Sequence, residues 1–221
     1  MSESCPPGTF YNERTGQCEA GGGCFPGTAE LSMRAGGKKK MEDLKIGDKI
    51  RTSSTSFSAI LGWLDKEPGR MTNFLKLETN LTSSISLTGS HMILSRARPG
   101  QALTHKYAED VKVGDLIVHG ETGSEAEVVN ISSFTTVGYY SPLTYEGTIV
   151  VDGYLTSCYA SYPHLAAHLA LLPARILPAA LLGDDEEDST SQFITLAKDL
   201  GDILNLRNIA STASCHTLGG C

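Results

Sequence analysis

Glu42-Asp43-Leu44-Lys45-Ile46-Gly47-Asp48-Lys49-Ile50 recurs 67 residues later as Glu109-Asp110-Val111-Lys112-Val113-Gly114-Asp115-Leu116-Ile117. Six of the nine positions are identical, and two others exchange Leu or Ile for Val. The long offset points to a duplicated unit rather than a short-period solenoid. Each copy reads the same way. An acidic pair opens a turn, apolar residues alternate, Gly-Asp makes a tight turn, and a short strand leaves it. Around the copies, short apolar runs predict strands at Ile60–Leu64, Phe74–Leu77, Ile85–Leu87, Glu127–Ile131 and Thr148–Val151. Glu67-Pro68-Gly69 and Arg98-Pro99-Gly100 predict turns between them. From Cys24 to about Cys158 the chain is expected to be all-β with two pseudo-equivalent halves.

The chain has 221 residues, 40% of them hydrophobic, enough for one large domain or two small ones. Its net charge of −7 argues against a nucleic-acid partner, since no basic face is evident. Lys38-Lys39-Lys40 is the only basic run and is expected to be a solvated loop. After Cys158 the composition shifts. Residues 161–182 are rich in Ala and Leu and suit helices separated by prolines. Tyr159 to Leu182 is the nearest candidate for a membrane span, but Pro163, Pro173 and Pro178 interrupt it. Asp184 to Asp188 forms an acidic linker. Phe193, Leu196, Ala197, Leu200, Ile203 and Leu204 then recur at helical spacing. That stripe fits core packing or an element lying on a membrane surface.

The six cysteines are Cys5, Cys18, Cys24, Cys158, Cys215 and Cys221. No CxxC pair supports a zinc or thioredoxin-like site. Cys5 and Cys18 frame what looks like a piece of a disulfide-rich extracellular module. Asn80-Leu81-Thr82 and Asn130-Ile131-Ser132 are glycosylation sequons. Together these place the chain in the secretory pathway, as a secreted or extracellular protein. No signal peptide precedes Cys5, so the sequence is expected to be a fragment. His164 and His168 stand four apart on an expected helix, but no third ligand accompanies them, and no metal or cofactor is expected.

Chemistry concentrates at Gly21-Gly22-Gly23-Cys24-Phe25-Pro26-Gly27. Gly23 places no side chain beside its own carbonyl, so the Cys24 thiol can reach that carbon. Cleaving an amide from within needs a nucleophile at the carbonyl, an acid for the departing nitrogen, and stabilisation of the oxyanion. Holding the thiol in place removes roughly 7–11 kcal/mol from the barrier. His91 is the best candidate acid. Thr88, three residues earlier at the end of an apolar strand, can hydrogen-bond the scissile amide or fix the imidazole.

These residues resemble a family. Cys24-Phe25-Pro26-Gly27, Trp63-Leu64-Asp65-Lys66, Thr88-x-x-His91, the run Ser141 to Val151 and Thr156-Ser157-Cys158-Tyr159-Ala160 together resemble the Hog autoprocessing domain of hedgehog proteins. The resemblance implies a Hint fold, the twofold β-structure shared with inteins, followed by a helical lipid-recognition region. It implies three parts: an upstream segment, 1–23, ending at the cleavage site; a processing domain, 24–158; and a sterol-recognition region and tail, 159–221. Cys24 would attack the Gly23 carbonyl to form a thioester. His91 would protonate the leaving amine, assisted by Thr88. Asp65 would activate the hydroxyl of a cholesterol-like sterol, the co-substrate. Cys158 would be a late motif cysteine near the site, with a thiol or redox role. The region after Tyr159 would meet sterol and membrane surface, and the protein would act as a monomer on its own N-terminal segment. The Hog-like chain would lack the signalling domain upstream of Gly23.

Other readings are self-cleavage with water or another alcohol as acceptor, and a non-enzymatic, cysteine-rich interaction module. The module reading leaves the ordered set Cys24, Asp65, Thr88 and His91 unexplained. Splicing would need a His-Asn pair, which the sequence lacks. A papain-type protease is disfavoured by the surroundings of Cys24.

Overall fold

A computed structural model describes residues 9–12, 17–20 and 23–159. The helices expected after Tyr159, the pair His164 and His168, Cys5, and the tail cysteines Cys215 and Cys221 lie outside the described residues. Strands β1 (Thr9–Asn12) and β2 (Gln17–Ala20) form an antiparallel hairpin. Everything from Phe25 to Ser157 that is regular is strand, apart from two single 3-10 turns, so the described processing region is all-β as expected.

The duplication is visible in the strands. The first unit holds β3 (Phe25–Pro26), β4 (Glu30–Ser32), β5 (Lys38–Lys40), a 3-10 turn at Met41–Asp43, β6 (Lys49–Arg51) and β7 (Phe57–Thr79). The second holds β8 (Ser84–Leu87), β9 (Met92–Arg96), β10 (Thr104–Tyr107), a 3-10 turn at Ala108–Asp110, β11 (Leu116–Val118) and β12 (Glu125–Thr144). The hairpin β13 (Thr148–Val151) and β14 (Tyr154–Ser157) completes the sheet against β9. The opening strand of each unit pairs with the long strand of the other: β3 with β12, and β8 with β7. The two long strands pair with each other along most of their length. The halves are thus exchanged at their edges, which holds β3, and the residue before it, against the opposite unit.

The repeated nonapeptide folds the same way twice. Gly47 and Gly114 both take left-handed conformations, with φ of 89° and 94°, which glycine adopts without steric penalty. The carboxylate of Asp48 accepts from the Lys45 N–H at 2.8 Å, and that of Asp115 from the Lys112 N–H at 3.0 Å. Each also takes a lysine ammonium at 2.7 Å: Lys39 on Asp48, and Lys106 on Asp115. Leu44 and Val111 are buried at equivalent places. Lys38-Lys39-Lys40 is therefore a strand rather than the expected solvated loop. Lys39 has a fixed acidic partner that the basic run alone did not reveal, and β4 supplies ladder partners for all three lysines.

Glu67-Pro68-Gly69 is also not the expected turn, because it lies inside β7. The long partner strand β12 continues past it, and the ladder steps from Val137↔Met71 to Tyr139↔Glu67. Pro68 falls in this bulge, where no ladder N–H is required of it. Gly138 opposite has φ of 87°, and a Cβ there would stand 3.0 Å from the Pro68 carbonyl oxygen. Arg98-Pro99-Gly100 does turn, closed by the Gln101 N–H donating to the Arg98 carbonyl at 3.2 Å. The core lies between the layers of this folded sheet and includes Phe25, Leu31, Ile60, Leu77, Ile93 and Tyr154.

Candidate active site

Cys24 and Thr88 meet where the two units exchange strands. The Cys24 N–H donates to Thr88 Oγ1 at 3.0 Å, and the Thr88 N–H donates to the Cys24 carbonyl at 3.0 Å. The Gly23–Cys24 amide is thus held from its nitrogen side by a hydroxyl whose own backbone N–H is fixed on the Cys24 carbonyl. Both residues are buried.

His91 is carried on the turn that Thr88 opens. Its N–H donates to the Thr88 carbonyl at 3.0 Å. The same turn exists in the first unit, where the Ala29 N–H donates to the Pro26 carbonyl at 3.1 Å. Ladder bonds confirm the equivalence: Ala108 N–H to His91 O at 2.8 Å matches Met41 N–H to Ala29 O at 2.7 Å. Thr88-Gly89-Ser90-His91 and Pro26-Gly27-Thr28-Ala29 are therefore one turn with two contents, a threonine and a histidine in one copy where the other has a proline and an alanine.

The His91 ring is wholly buried and packs on Phe25, with centroids 4.2 Å apart. Its Nε2 lies 2.8 Å from the Ser157 carbonyl, which can only accept, so the hydrogen sits on Nε2 and the lone pair of the neutral ring on Nδ1. Nδ1 makes no hydrogen bond among the described residues. Burial pushes the His91 pKa down to about 4, against a smaller opposing effect of the Ser157 and Gly23 backbone groups. At neutral pH the imidazole is neutral, and Gly23 lies close enough to favour its protonation. The ring can take a proton at Nδ1 and return it nearby.

Ser157 is set in place by its neighbour. The Cys158 N–H donates to the Gly147 carbonyl at 2.8 Å, and Cys158 Sγ lies 3.4 Å from Thr144 Oγ1. Ser141 Oγ donates to the Cys158 carbonyl at 3.4 Å. Cys24 and Cys158 are both buried thiols.

Asp65 is on β7, opposite Ser141 of β12. Strands β3 and β7 flank β12, so Cys24 and Asp65 approach the same stretch of β12 from either side. Two strand spacings separate the flanking backbones, roughly 10 Å. The structure thus brings Cys24, Thr88 and His91 together in buried surroundings, with Cys158 next along the chain from the Ser157 carbonyl that meets His91, and Asp65 one strand beyond. Sequence reasoning missed Ser157, whose carbonyl fixes the imidazole. A backbone acceptor leaves no residue-type signal. It also missed Tyr139, which packs with Cys24 and Phe74. Among the described residues, no group of His, Cys, Asp and Glu is arranged to hold a metal ion.

A family model described as the Hint module matches residues 12–204. The chain belongs to the Hint family. Solved Hint-fold structures agree at the level of fold. The gp41-1 intein superposes with a TM-score of 0.52 at 14% identity, over 62% of this chain and 99% of that one. A KlbA intein precursor from Methanococcus jannaschii gives 0.51 at 14% identity, over 62% and 92%. By sequence the Hint chain is similar to Indian hedgehog B protein of Danio rerio, 33% identical over 71% of this chain and 42% of that protein. It is also similar to protein qua-1 of Caenorhabditis elegans, 32% identical over 68% of this chain and 14% of that one. The chain thus spans less than half the length of these relatives.

Proposed function

We propose that this Hint domain breaks its own Gly23–Cys24 bond and passes the upstream acyl group to a sterol hydroxyl, in a single turnover. The observation that carries the first step is the reciprocal Thr88–Cys24 pair, with a neutral His91 beside Gly23. The thiol proton of Cys24 passes to His91 Nδ1. The sulfur then attacks the Gly23 carbonyl carbon. The C–N bond breaks as Nδ1–H⁺ returns the proton to the Cys24 nitrogen, which Thr88 holds in line. A positioned acid of this kind contributes a factor of about 10²–10⁴. The product is a thioester between Gly23 and Cys24 Sγ, with a free amine on Cys24.

Amide is more stable than thioester, so a trap has to draw the equilibrium forward. In the second step an acceptor hydroxyl gives its proton to Asp65, and its oxygen displaces the sulfur. The proton then passes from Asp65 to the Cys24 thiolate. Cys158 supports the first step by anchoring Ser157, and its buried thiol offers a redox role. Residues 1–23 leave as the ester. Residues 24–158 do the chemistry, and 159–221 recognise the sterol at a membrane surface. The setting is the secretory pathway, and the fragment released is extracellular. Support for the sterol comes from the motif around Asp65 and from the hedgehog relatives.

The test is incubation of the purified chain with cholesterol in detergent, followed by mass measurement of the N-terminal fragment. A sterol-sized increase on residues 1–23, lost in Asp65→Ala while dithiothreitol cleavage persists, is expected. Cleavage by dithiothreitol with no sterol adduct in the wild type rejects the sterol.

A further inference from the structure

Tyr139 is the buried titratable group at the site to which the steps above give no role. It packs with Cys24 and Phe74 in a cluster apart from the main core. Strand register puts it opposite Pro26 of β3 on one side and opposite Glu67 of β7 on the other. Two residues along β12, and so on the same face, Ser141 stands opposite Asp65. Tyr139 therefore lies between the strand carrying the carboxylate and the residue carrying the nucleophile. Electrostatics agree with this placement. Burial, then the negative charges of Asp65 and Cys24, push the phenol up from its ordinary value and keep its proton on.

Thr88 and His91 stand at the nitrogen end of the scissile bond. Once the acyl group has moved to sulfur, its carbonyl travels with Cys24 Sγ to the side that Tyr139 lines. The acceptor must reach that carbonyl with its proton directed to Asp65. The acyl oxygen then gains negative charge, and neither Thr88 nor His91 is the donor placed on that side. A buried phenol facing the Asp65 carboxylate keeps its proton and is placed to donate.

We propose that Tyr139 acts in the second step, donating its phenolic hydrogen to the acyl oxygen as the acceptor hydroxyl adds to the thioester; this rests on the acyl-transfer reading above. The acceptor oxygen forms its bond to the acyl carbon as its proton goes to Asp65. The resulting oxyanion accepts from Tyr139 O–H. Collapse breaks the C–S bond, the Cys24 thiolate takes the proton from Asp65, and Tyr139 keeps its own. Phe74 and the Tyr139 ring also cover the sulfur against water.

Tyr139→Phe keeps the ring and removes only the donor. With cholesterol in detergent, the full chain carrying Tyr139→Phe is expected to lose at least about tenfold in the maximal rate of ester formation. The half-saturating sterol concentration should stay within about twofold, because the ring packing persists. At saturating dithiothreitol, where thioester formation limits the rate, cleavage should stay within about threefold, since it then reports the first step and an intact fold. Tyr139→Ala should in addition release unmodified residues 1–23 through hydrolysis. Equal ester formation in wild type and Tyr139→Phe overturns the proposal. So does equal loss of sterol and dithiothreitol cleavage in Tyr139→Phe, which would place the residue in the first step or in the fold. Wild-type chain cleaved by dithiothreitol but never esterified overturns the acyl-transfer reading itself, and this proposal with it.

Discussion

Thr88 and Cys24 hold each other by two hydrogen bonds, each 3.0 Å long: Cys24 N–H to Thr88 Oγ1, and Thr88 N–H to the Cys24 carbonyl. Only the first uses a side chain, so Thr88→Val removes it at nearly constant volume. That leaves the buried Cys24 N–H without its acceptor, which costs about 1–3 kcal/mol. Dithiothreitol cleavage should fall at least about tenfold in Thr88→Val, and Thr88→Ser should recover most of it. Equal rates in Thr88→Val and wild type would show that the hydroxyl does not serve the scissile amide.

The proton held by His91 sets a pH signature. Its folded pKa, about 4, lies below the ordinary 6.5. The unfolded chain therefore binds this proton first. The stability the neutral ring contributes is complete above about 6.5 and is lost as pH falls towards 4. Thermal melts of wild type should show this loss, and His91→Gln should flatten it. At saturating dithiothreitol, after correction for its falling thiolate fraction, thiol-induced cleavage should decline only as pH approaches about 4, since the neutral ring starts the reaction. A decline centred near 6.5 would mean the ring is solvated.

Asp152 has the opposite sign. Desolvation chiefly raises its pKa from 3.8 to about 6, although its Oδ1 accepts from the Glu30 N–H at 2.8 Å. The folded state prefers the protonated carboxyl, so stability falls as pH rises from about 4 through 6. Asp152→Asn keeps an acceptor for Glu30 and removes the charge. It should melt higher than wild type at pH 7.5 and show a smaller difference at pH 4. An unchanged or lower melting temperature at pH 7.5 would contradict this. Its position has φ of 51°, which asparagine also tolerates.

The two equivalent lysine–aspartate pairs should differ in strength. The Asp115 side chain is 7% exposed and that of Asp48 is 23% exposed. Lys106→Met strands a nearly buried carboxylate and should cost up to about 3 kcal/mol. Lys39→Met leaves a better-solvated one and should cost under about 1 kcal/mol. Urea unfolding of the two variants compares them directly. Equal losses would mean that solvent reaches both carboxylates alike.

The nonapeptide repeat made the twofold β-architecture legible, because Gly-Asp turns and buried Leu44 and Val111 leave a local signature. The pairing of β3 with β12 was not legible, since pairing across more than 100 residues leaves no local pattern. Pro68 misled for a related reason: a proline reads as a turn unless a bulge opposite it, here at Gly138, is known. At the site, Cys24, Thr88, His91 and Asp65 could be named from residue type and motif. Ser157 acts through its carbonyl, and Tyr139 gains its position from strand register, so neither could be named. The kinship of Thr88-Gly89-Ser90-His91 with Pro26-Gly27-Thr28-Ala29 appeared only when their hydrogen bonds matched.

The central claim is that Cys24 carries the Gly23 acyl group as a thioester. The most direct measurement is intact mass after treating the purified chain with dithiothreitol at neutral pH, alongside Cys24→Ala. The account predicts a fragment ending at Gly23 with one dithiothreitol attached and a partner beginning at Cys24, neither of which forms in Cys24→Ala. An uncleaved wild-type chain, or the same cleavage in Cys24→Ala, would contradict it.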